Sequence, residues 1–384
     1  MKHAETLIDE AAQEAGRDRP GGKQDVIVRE LRRSIVSREL RPGAQLPTRT
    51  EIENRFGASR VTVQHALNSL VHDGFVHATR RRGTFVSDHP PHLSRYALVF
   101  HPHPEDHPRR WTRFWTAICN EAVRFQGAGA RQVVVWAGVE SHSDNIEFQN
   151  LVAEARRERL AGLVLFSGAH GFENTPLMSQ TLPRVFVGDD AEASYEAESA
   201  SAGAVINLNY ASFIERALDE LKARGCSRLG VISHRDPEGE FNARITRSAR
   251  ARGFECLPHW VQSCSLELPR GAGNSAHLLL HADQRKRPDA LLITDDNLVE
   301  HATAGVLAAG AVGDVEVVAH CNFPWPTACS VPVRRLGFDA RQILRVCLEQ
   351  IDRQRDSQQV DPITQVQALF DREIASESPY STAF

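Results

Sequence analysis

The sequence predicts an α/β protein in two parts, a small winged helix-turn-helix domain followed by a much larger domain built on parallel sheet. Three observations predict it. Between residues 46 and 86, helix-start and helix-stop signals fall in order and lead into an arginine-tipped hairpin. From residue 95 onward, short apolar runs alternate with helical segments, the texture of βαβ units. The charge is also divided: residues 24–88 hold 11 Arg against 7 Asp and Glu, whereas residues 89–384 hold 30 Lys and Arg against 37 acids. A net charge of −4 over 384 residues therefore conceals a basic small part beside an acidic large one. That asymmetry confines polyanion binding to the first part.

Residues 1–23 carry little apolar content and close on Asp18-Arg19-Pro20-Gly21-Gly22, so they read as a mobile arm. Residues 24–38 read as a helix with Ile27, Leu31 and Ile35 inward. A second helix opens at Thr48, where Glu51 three residues on completes a capping box. Ile52 and Phe56 supply its inward face, and Gly57 stands where it must turn through positive φ. Ser59 caps the next helix, in which Val63, Ala66, Leu67, Leu70 and Val71 form one apolar stripe. Arg60, Thr62, Gln64, His65 and Asn68 lie on the other face or its N-terminal edge, all types able to bond base edges or phosphate. After Gly74, residues 75–79 and 84–86 read as two strands around Arg80-Arg81-Arg82-Gly83. A small helical core with a solvated basic loop is the plainer reading. The ordered set of caps, glycines and cationic hairpin favours a helix seated in a DNA groove.

These residues resemble the GntR family of bacterial transcription regulators over about 65 residues, 24–88. The family's pattern appears here as Leu46-Pro47-Thr48-Arg49-Thr50-Glu51-Ile52, Gly57-Ala58-Ser59-Arg60-Val61-Thr62-Val63 and Gly83-Thr84-Phe85-Val86. The resemblance implies DNA contacts from Arg49, Thr50, Ser59, Arg60, Thr62, Gln64, His65, Arg80, Arg81, Arg82 and Gly83. Three positions depart from the family. Its Glu-Arg pair is Arg49-Thr50 here, which moves or removes one contact. Its common arginine four places after Arg60 is Gln64, which favours adenine over guanine if it reads a base. Its wing-tip glycine aligns with Arg81, which suits reading of groove width by charge.

Residues 89–95, with two prolines, read as a linker, and the larger domain follows over 96–374, with 375–384 as a C-terminal tail. Strands are expected over 96–100, 133–137, 163–166, 185–188, 228–232, 290–294 and 315–319. Helices are expected over 111–125, 145–159, 211–224, 243–252, 299–309 and 340–354. In such sheets ligands bind beyond the carboxyl ends of the strands, so chemistry is sought after Phe100, Phe166, Gly188, Ile232, Thr294 and Ala319.

The run Arg287-Pro288-Asp289-Ala290-Leu291-Leu292-Ile293-Thr294-Asp295-Asp296, then Val315-Glu316-Val317-Val318-Ala319 and Val331-Pro332-Val333 to Gly337, resembles the effector domain of LacI-type repressors, itself similar to periplasmic sugar-binding proteins. The resemblance spans roughly 95–374. It implies a two-lobed, periplasmic-binding-protein-like α/β effector domain with ligand in the cleft. One lobe is expected from about 95–204 plus 320–350, the other from about 205–319 plus 355–374. Arg244 matches the family's effector-contacting arginine, with a solvated arginine on an Arg-rich helix as the plainer role. Asp296 stands where the family accepts two hydroxyls, and Asp295 competes for that role. The family's Gly-Phe-Asp is His320-Cys321-Asn322 here.

Further candidates lie at expected strand ends. Trp115, with Trp111 and Phe114, and Trp325, after Phe323-Pro324, offer aromatic faces suited to sugar or nucleoside rings, about half of which belong to an ordinary core. Asp189 and Asp190 either approach the cleft or cap a turn. His101-Pro102-His103 with His107 admits a metal reading, but without further ligand clusters a rigid mouth loop is preferred and no metal is expected. The seven cysteines lack Cys-x-x-Cys spacing, which speaks for reduced thiols in a cytoplasm. No apolar run is long enough to span a membrane, and the first residues lack a signal-peptide core.

No catalytic motif or cofactor loop is evident, so an enzyme is not expected and no cofactor is assigned. The expected function is a ligand-responsive transcription regulator, a repressor. It binds a roughly palindromic double-stranded DNA operator as a homodimer, associated with the nucleoid, and senses a sugar or sugar derivative. Two alternatives stand beside it. One is a DNA-binding scaffold whose large domain only dimerises. The other is a fused pyridoxal-phosphate domain, for which Lys222 and Lys286 are poor Schiff-base candidates.

Overall fold

A computed structural model of the chain describes residues 22–106, 111–126, 131–141, 144–166, 172, 175–178, 181–189, 203–234 and 239–374. The arm expected over 1–23 lies almost wholly outside the described residues, as does the tail over 375–384. The chain divides into two compact units at the Arg95–Tyr96 junction.

The first unit contains helices α1 (Lys23–Val36), α2 (Arg49–Phe56) and α3 (Arg60–His72), then strands β1 (Val76–Thr79) and β2 (Gly83–Val86). The capping box forms as the sequence requires: Thr48 N donates to Glu51 Oε2 at 2.7 Å, and Glu51 N donates to Thr48 Oγ1 at 3.4 Å. Gly57 ends α2 in the left-handed region at φ 56°, where a side chain would be strained. Ser59 Oγ accepts from Thr62 N at 3.2 Å to open α3. Ile27, Leu31, Ile35, Ile52, Val63, Leu67 and Leu70 close one core with Phe75 and Val86. Val71 departs from the expected stripe, being 42% exposed. The core contact of α3 ends at Leu70, and Val71 points past it one residue before the helix stops.

The wing is an antiparallel pair running from Val76 opposite Val86 to Thr79 opposite Gly83. Leu46 N donates to Thr84 O at 2.9 Å, which ties the approach to α2 onto the hairpin. The stretch read as a linker is partly folded: α4 (Pro91–Ser94) is one turn of helix with proline preset at its start. The His92 ring stacks on Phe75 at 5.8 Å, and Ser94 Oγ donates to His89 O and Pro90 O at 3.0 Å each. This turn packs on the winged helix.

Among the described residues the second unit forms two six-stranded sheets. Their strands, in chain order, are β3 (Arg95–Phe100), β4 (Gln132–Trp136), β5 (Gly162–Phe166), β6 (Arg184–Asp189), β7 (Ala204–Asn209), β8 (Leu229–His234), β9 (Val261–Cys264), β10 (Ala290–Ile293), β11 (Glu316–Phe323), β12 (Arg334–Asp339), β13 (Ile363–Gln367) and β14 (Leu369–Phe370). One sheet runs β13-β7-β6-β5-β3-β4 and the other β14-β12-β11-β10-β8-β9. Strands 3, 5, 6, 7 and 13 are parallel neighbours, as are 9, 8, 10, 11 and 12. Central strands such as β3, β5 and β10 are buried along almost their whole length. That explains their unbroken apolar runs.

The lobes are a correction to the expected division. The first crossover follows Asn209 rather than residue 204, because β7 pairs with β6 and β13 in the first sheet. β11 and β12 belong wholly to the second sheet, so the return falls at Ala340, where α11 (Ala340–Arg355) begins. β13 lies in the first sheet and β14 in the second, so the last crossover takes the single residue Ala368.

Candidate DNA interface and ligand cleft

On α3, Arg60, His65 and Asn68 are exposed, and Thr62 and Gln64 are half-buried at the edge of the apolar stripe. Gln64 Nε2 donates to Asn68 Oδ1 at 2.7 Å. That bond uses one amide hydrogen and leaves Gln64 one N–H and one C=O, the pair that matches adenine N7 and N6. Arg49 and Thr50 are exposed at the start of α2. Ser59 is the cap itself, so its hydroxyl orders the first turn of α3, whose free N–H groups suit a phosphate. Arg80, Arg81, Arg82 and Gly83 are exposed at the wing tip. Arg81 sits there at φ 63°, and Gln45 Nε2 donates to Arg82 O at 3.0 Å to brace the turn. Sequence reasoning passed over Val61, 65% exposed on α3 beside Arg60. An apolar β-branched residue outside its helix's stripe was the available signal, and such a side chain suits a thymine methyl.

In the second unit a cavity of about 200 Å³ opens at the carboxyl ends of strands from both sheets. The end of β5 gives Phe166, that of β6 gives Val187 to Asp189, and that of β7 gives Leu208 and Tyr210. The second sheet gives Asp295, Asp296 and Asn297 after β10, and His320 and Asn322 from β11. Thr112, Phe114 and Trp115 close it from the start of α5 (Arg113–Gln126). The aromatic side is packed from behind: Phe100 lies 4.7 Å from Phe166 and 5.9 Å from Trp115 between ring centroids.

The polar side is largely buried. Asp295 caps α10 (Asp296–Ala308), accepting from Asn297 N and Nδ2 at 2.8 Å each. Asp296 is 2% exposed and accepts from Asn322 Nδ2 at 2.6 Å. Burial, reinforced by the neighbouring Asp295 charge, pushes its carboxyl up to about 7 against the bond from Asn322. His320 is 5% exposed and stacks on Tyr210, ring planes 13° apart. Burial pulls its imidazole down to about 4, so it is neutral. At the mouth, Arg113 N donates to Asn297 Oδ1 at 3.0 Å and its guanidinium pairs with Glu300 at 2.9 Å, joining the two lobes.

Of the expected ligand-site residues, Asp296, Asp189 and Trp115 come together on this cavity, and three do not. Arg244 sits on α8 (Glu240–Ala251) over the Phe241 ring at 5.5 Å. Phe241 in turn meets the cavity residue Tyr210 edge-on, which leaves Arg244 one layer back. Trp325 turns to the first lobe: its indole donates to the buried Glu121 at 2.9 Å, and Arg124 lies over its ring at 4.5 Å. His101 packs 5.9 Å from Phe172, and His103 Nδ1 accepts from Glu105 N at 3.2 Å. His107 and Asp190 lie outside the described residues. Lys222 stands over Phe254, and Lys286 pairs with Glu255.

Asn322, His320 and Tyr210 were missed as site residues. The first two are two apart and share a face because β11 runs on to Phe323, past the strand end expected at residue 319. Tyr210 follows β7, a strand the sequence reading did not find. The chain thus joins a winged helix with an exposed polar helix face and a cationic hairpin to a unit that holds a strand-end cleft between two parallel-sheet lobes.

The comparisons with known proteins divide along the same junction. Residues 23–86 match the family described as bacterial regulatory proteins, gntR family, so the N-terminal unit is a GntR-family helix-turn-helix domain. Over 61 residues the chain is 43% identical to the HTH-type transcriptional repressor NagR of Bacillus subtilis (strain 168), covering 16% of this chain and 25% of that protein. Over 62 residues it is 39% identical to the mannosyl-D-glycerate transport/metabolism system repressor MngR of Escherichia coli (strain K12), covering 16% and 26%. The chain therefore spans about a quarter of the length of these curated relatives. The fold of the larger part is that of LacI-family regulators. A LacI family transcriptional regulator from Arthrobacter sp. FB24, in complex with lactose, superposes with a TM-score of 0.53 at 14% identity, over 72% of this chain and 97% of that one. Another from Lactobacillus casei, with bound glucose, gives 0.50 at 14% identity, over 72% and 98%.

Proposed function

We propose that this protein is a ligand-responsive transcription repressor. Its winged helix binds a double-stranded DNA operator of two related half-sites, and the chain acts as a homodimer at the nucleoid. Its two-lobed domain senses a sugar-like small molecule in the strand-end cleft and alters operator affinity. The observation that carries this reading is the lining of the cavity. Aromatic rings and Asp189 face it from the first lobe, while carboxylate, amide and imidazole groups converge from the second. Rings for the apolar faces of a sugar and clustered polar groups for its hydroxyls are what such a ligand requires. The cavity is of monosaccharide size, and similarly folded regulators hold lactose and glucose. Arg60, Gln64 and the wing arginines supply the DNA contacts in this reading.

The test is in two steps. Selection from random duplexes yields an operator, and its binding is then titrated by fluorescence anisotropy with and without monosaccharides. A change in operator affinity with a saturating sugar supports the reading. Sequence-specific DNA binding that no cleft ligand alters favours a scaffold whose larger domain serves only assembly.

A further inference from the structure

The cavity wall also bears on which sugars it takes. Three carboxyl groups line it, from Asp189, Asp295 and Asp296, and among the described residues no arginine or lysine does. Arg113, beside the lining, faces Glu300 at 2.9 Å. Among the described residues the lining is therefore anionic, with Asp295 and Asp296 on the wall from the second sheet.

Two side chains in that wall are buried with polar atoms that find no hydrogen-bond partner. Both ring nitrogens of His320 are unsatisfied, as is Oδ1 of Asn322. The residues are 5% and 2% exposed. Native proteins rarely leave such groups unpaired, because each costs the water it has lost. His320 is also held rigidly. Tyr210 stacks on one face at 5.9 Å, with Phe213 at 5.4 Å and Phe338 at 5.8 Å around it. A neutral imidazole offers one donor and one acceptor, and a hydroxyl, itself both, satisfies either. A phosphate or carboxylate would need donors only, and would sit beside the like charge of the Asp295 and Asp296 carboxyl groups.

Resting on the sugar-sensor reading above, we propose that the cleft selects uncharged or cationic sugars against their phosphorylated and carboxylated derivatives, and that His320 determines this specificity by hydrogen-bonding a ligand hydroxyl. The Asn322 carbonyl takes a second hydroxyl or amine hydrogen beside it. Amino sugars fit as well as neutral ones, since an ammonium meets the carboxyl groups of Asp295 and Asp296 favourably. A regulator of this kind reports a sugar before a kinase has acted on it.

The experiment uses the full-length protein and matched pairs: ribose against ribose 5-phosphate, glucose against glucose 6-phosphate, and glucosamine against glucosamine 6-phosphate. Gluconate serves as a carboxylate. Binding is followed by thermal shift and calorimetry at pH 8. In the pair that binds, the unphosphorylated member is expected to bind at least about tenfold more tightly. His320→Phe keeps the stacked ring and removes both polar atoms, and is expected to weaken that sugar by about tenfold to a hundredfold. His320→Gln, which restores a donor and an acceptor, is expected to recover part of the loss. Asn242→Ala, outside the cavity, serves as control. Preference for the phosphorylated or carboxylated member overturns the proposal and leaves the sensor reading standing. Equal binding by wild type and His320→Phe, with the latter folded by its melting curve, overturns the role of His320. No shift with any sugar, charged or not, removes the sugar-sensor reading and this proposal with it.

Discussion

Asp296 and His320 are buried on the same cavity wall with their proton affinities displaced in opposite senses, and this makes a prediction about stability. Burial raises Asp296 from 3.8 to about 7 and lowers His320 from 6.5 to about 4. Between about pH 4 and 6.5 the folded chain therefore keeps both groups neutral, while the unfolded chain has an ionised aspartate and a protonated histidine. For Asp296 the folded state holds the extra proton, so stability falls as pH rises through this window. For His320 the unfolded state holds it, so stability rises. Each slope approaches about 1.4 kcal/mol per pH unit, and in wild type the two oppose. Asp296→Asn removes the falling term, and relative to wild type its stability should climb by about 2 kcal/mol from roughly pH 5 to 6.5. His320→Phe removes the rising term and should decline relative to wild type by a similar amount. All five tryptophans, 111, 115, 136, 260 and 325, lie beyond residue 95. Urea melts followed by tryptophan fluorescence at several pH values therefore report this unit alone. Curves for both variants that run parallel to wild type would falsify the assignment of opposed buried groups.

Four further outcomes are expected. Replacing Arg80, Arg81 and Arg82 with alanine should weaken operator binding broadly. The slope of log K against log salt should fall by about 0.9 for each phosphate no longer neutralised, and an unchanged slope rules out the wing as a charge clamp. Gln64→Arg should move the preferred base at one position of each half-site from adenine toward guanine, worth about 1–3 kcal/mol, as read by site selection. Because Asn68 orients the Gln64 amide, Asn68→Ala should blunt the adenine preference without moving it to guanine, and identical selected sites in both variants count against direct readout. Gly83→Ala places a side chain at φ +116° with its Cβ 2.8 Å from Gln45 Nε2. It should cost about 1 kcal/mol or more in the melting of the N-terminal unit, measured by circular dichroism.

What the sequence disclosed and what it withheld follow from the range of the interactions. The winged helix was legible almost residue by residue, because capping at Thr48 and Ser59 and the turn at Gly57 depend on neighbours a few positions away. In the second unit β3, β4, β5, β6, β8, β10 and β11 were legible as apolar runs, whereas β7, β9, β12, β13 and β14 were not, and sheet membership was legible for none. Membership of β7, β12 and β13 is decided by pairing with strands far along the chain, and a single residue, Ala368, carries the last crossing. The strand-end rule located the cavity and Asp296. It could not tell that Trp325 binds Glu121 instead, since the competing partner is 204 positions away. Arg244, expected at the ligand from a resemblance alone, lies over Phe241, which in turn meets the cavity residue Tyr210 edge-on.

A sensor requires that the cleft govern the DNA-binding unit. Operator affinity, with and without a saturating cleft sugar, decides this when measured for wild type, Asp296→Ala and Arg244→Ala. Ligand binding that differs between two states of the protein must shift operator affinity, and the shift disappears when the ligand's partner is removed. Wild type is expected to respond to the sugar, typically by about 5- to 150-fold. Asp296→Ala should bind the operator like wild type in the absence of sugar and respond to none, while Arg244→Ala, one layer back, should respond with reduced sensitivity. A wild type whose operator affinity is unmoved by a sugar it demonstrably binds, or an Asp296→Ala variant that responds as wild type does, would contradict control of the DNA-binding unit by the cleft.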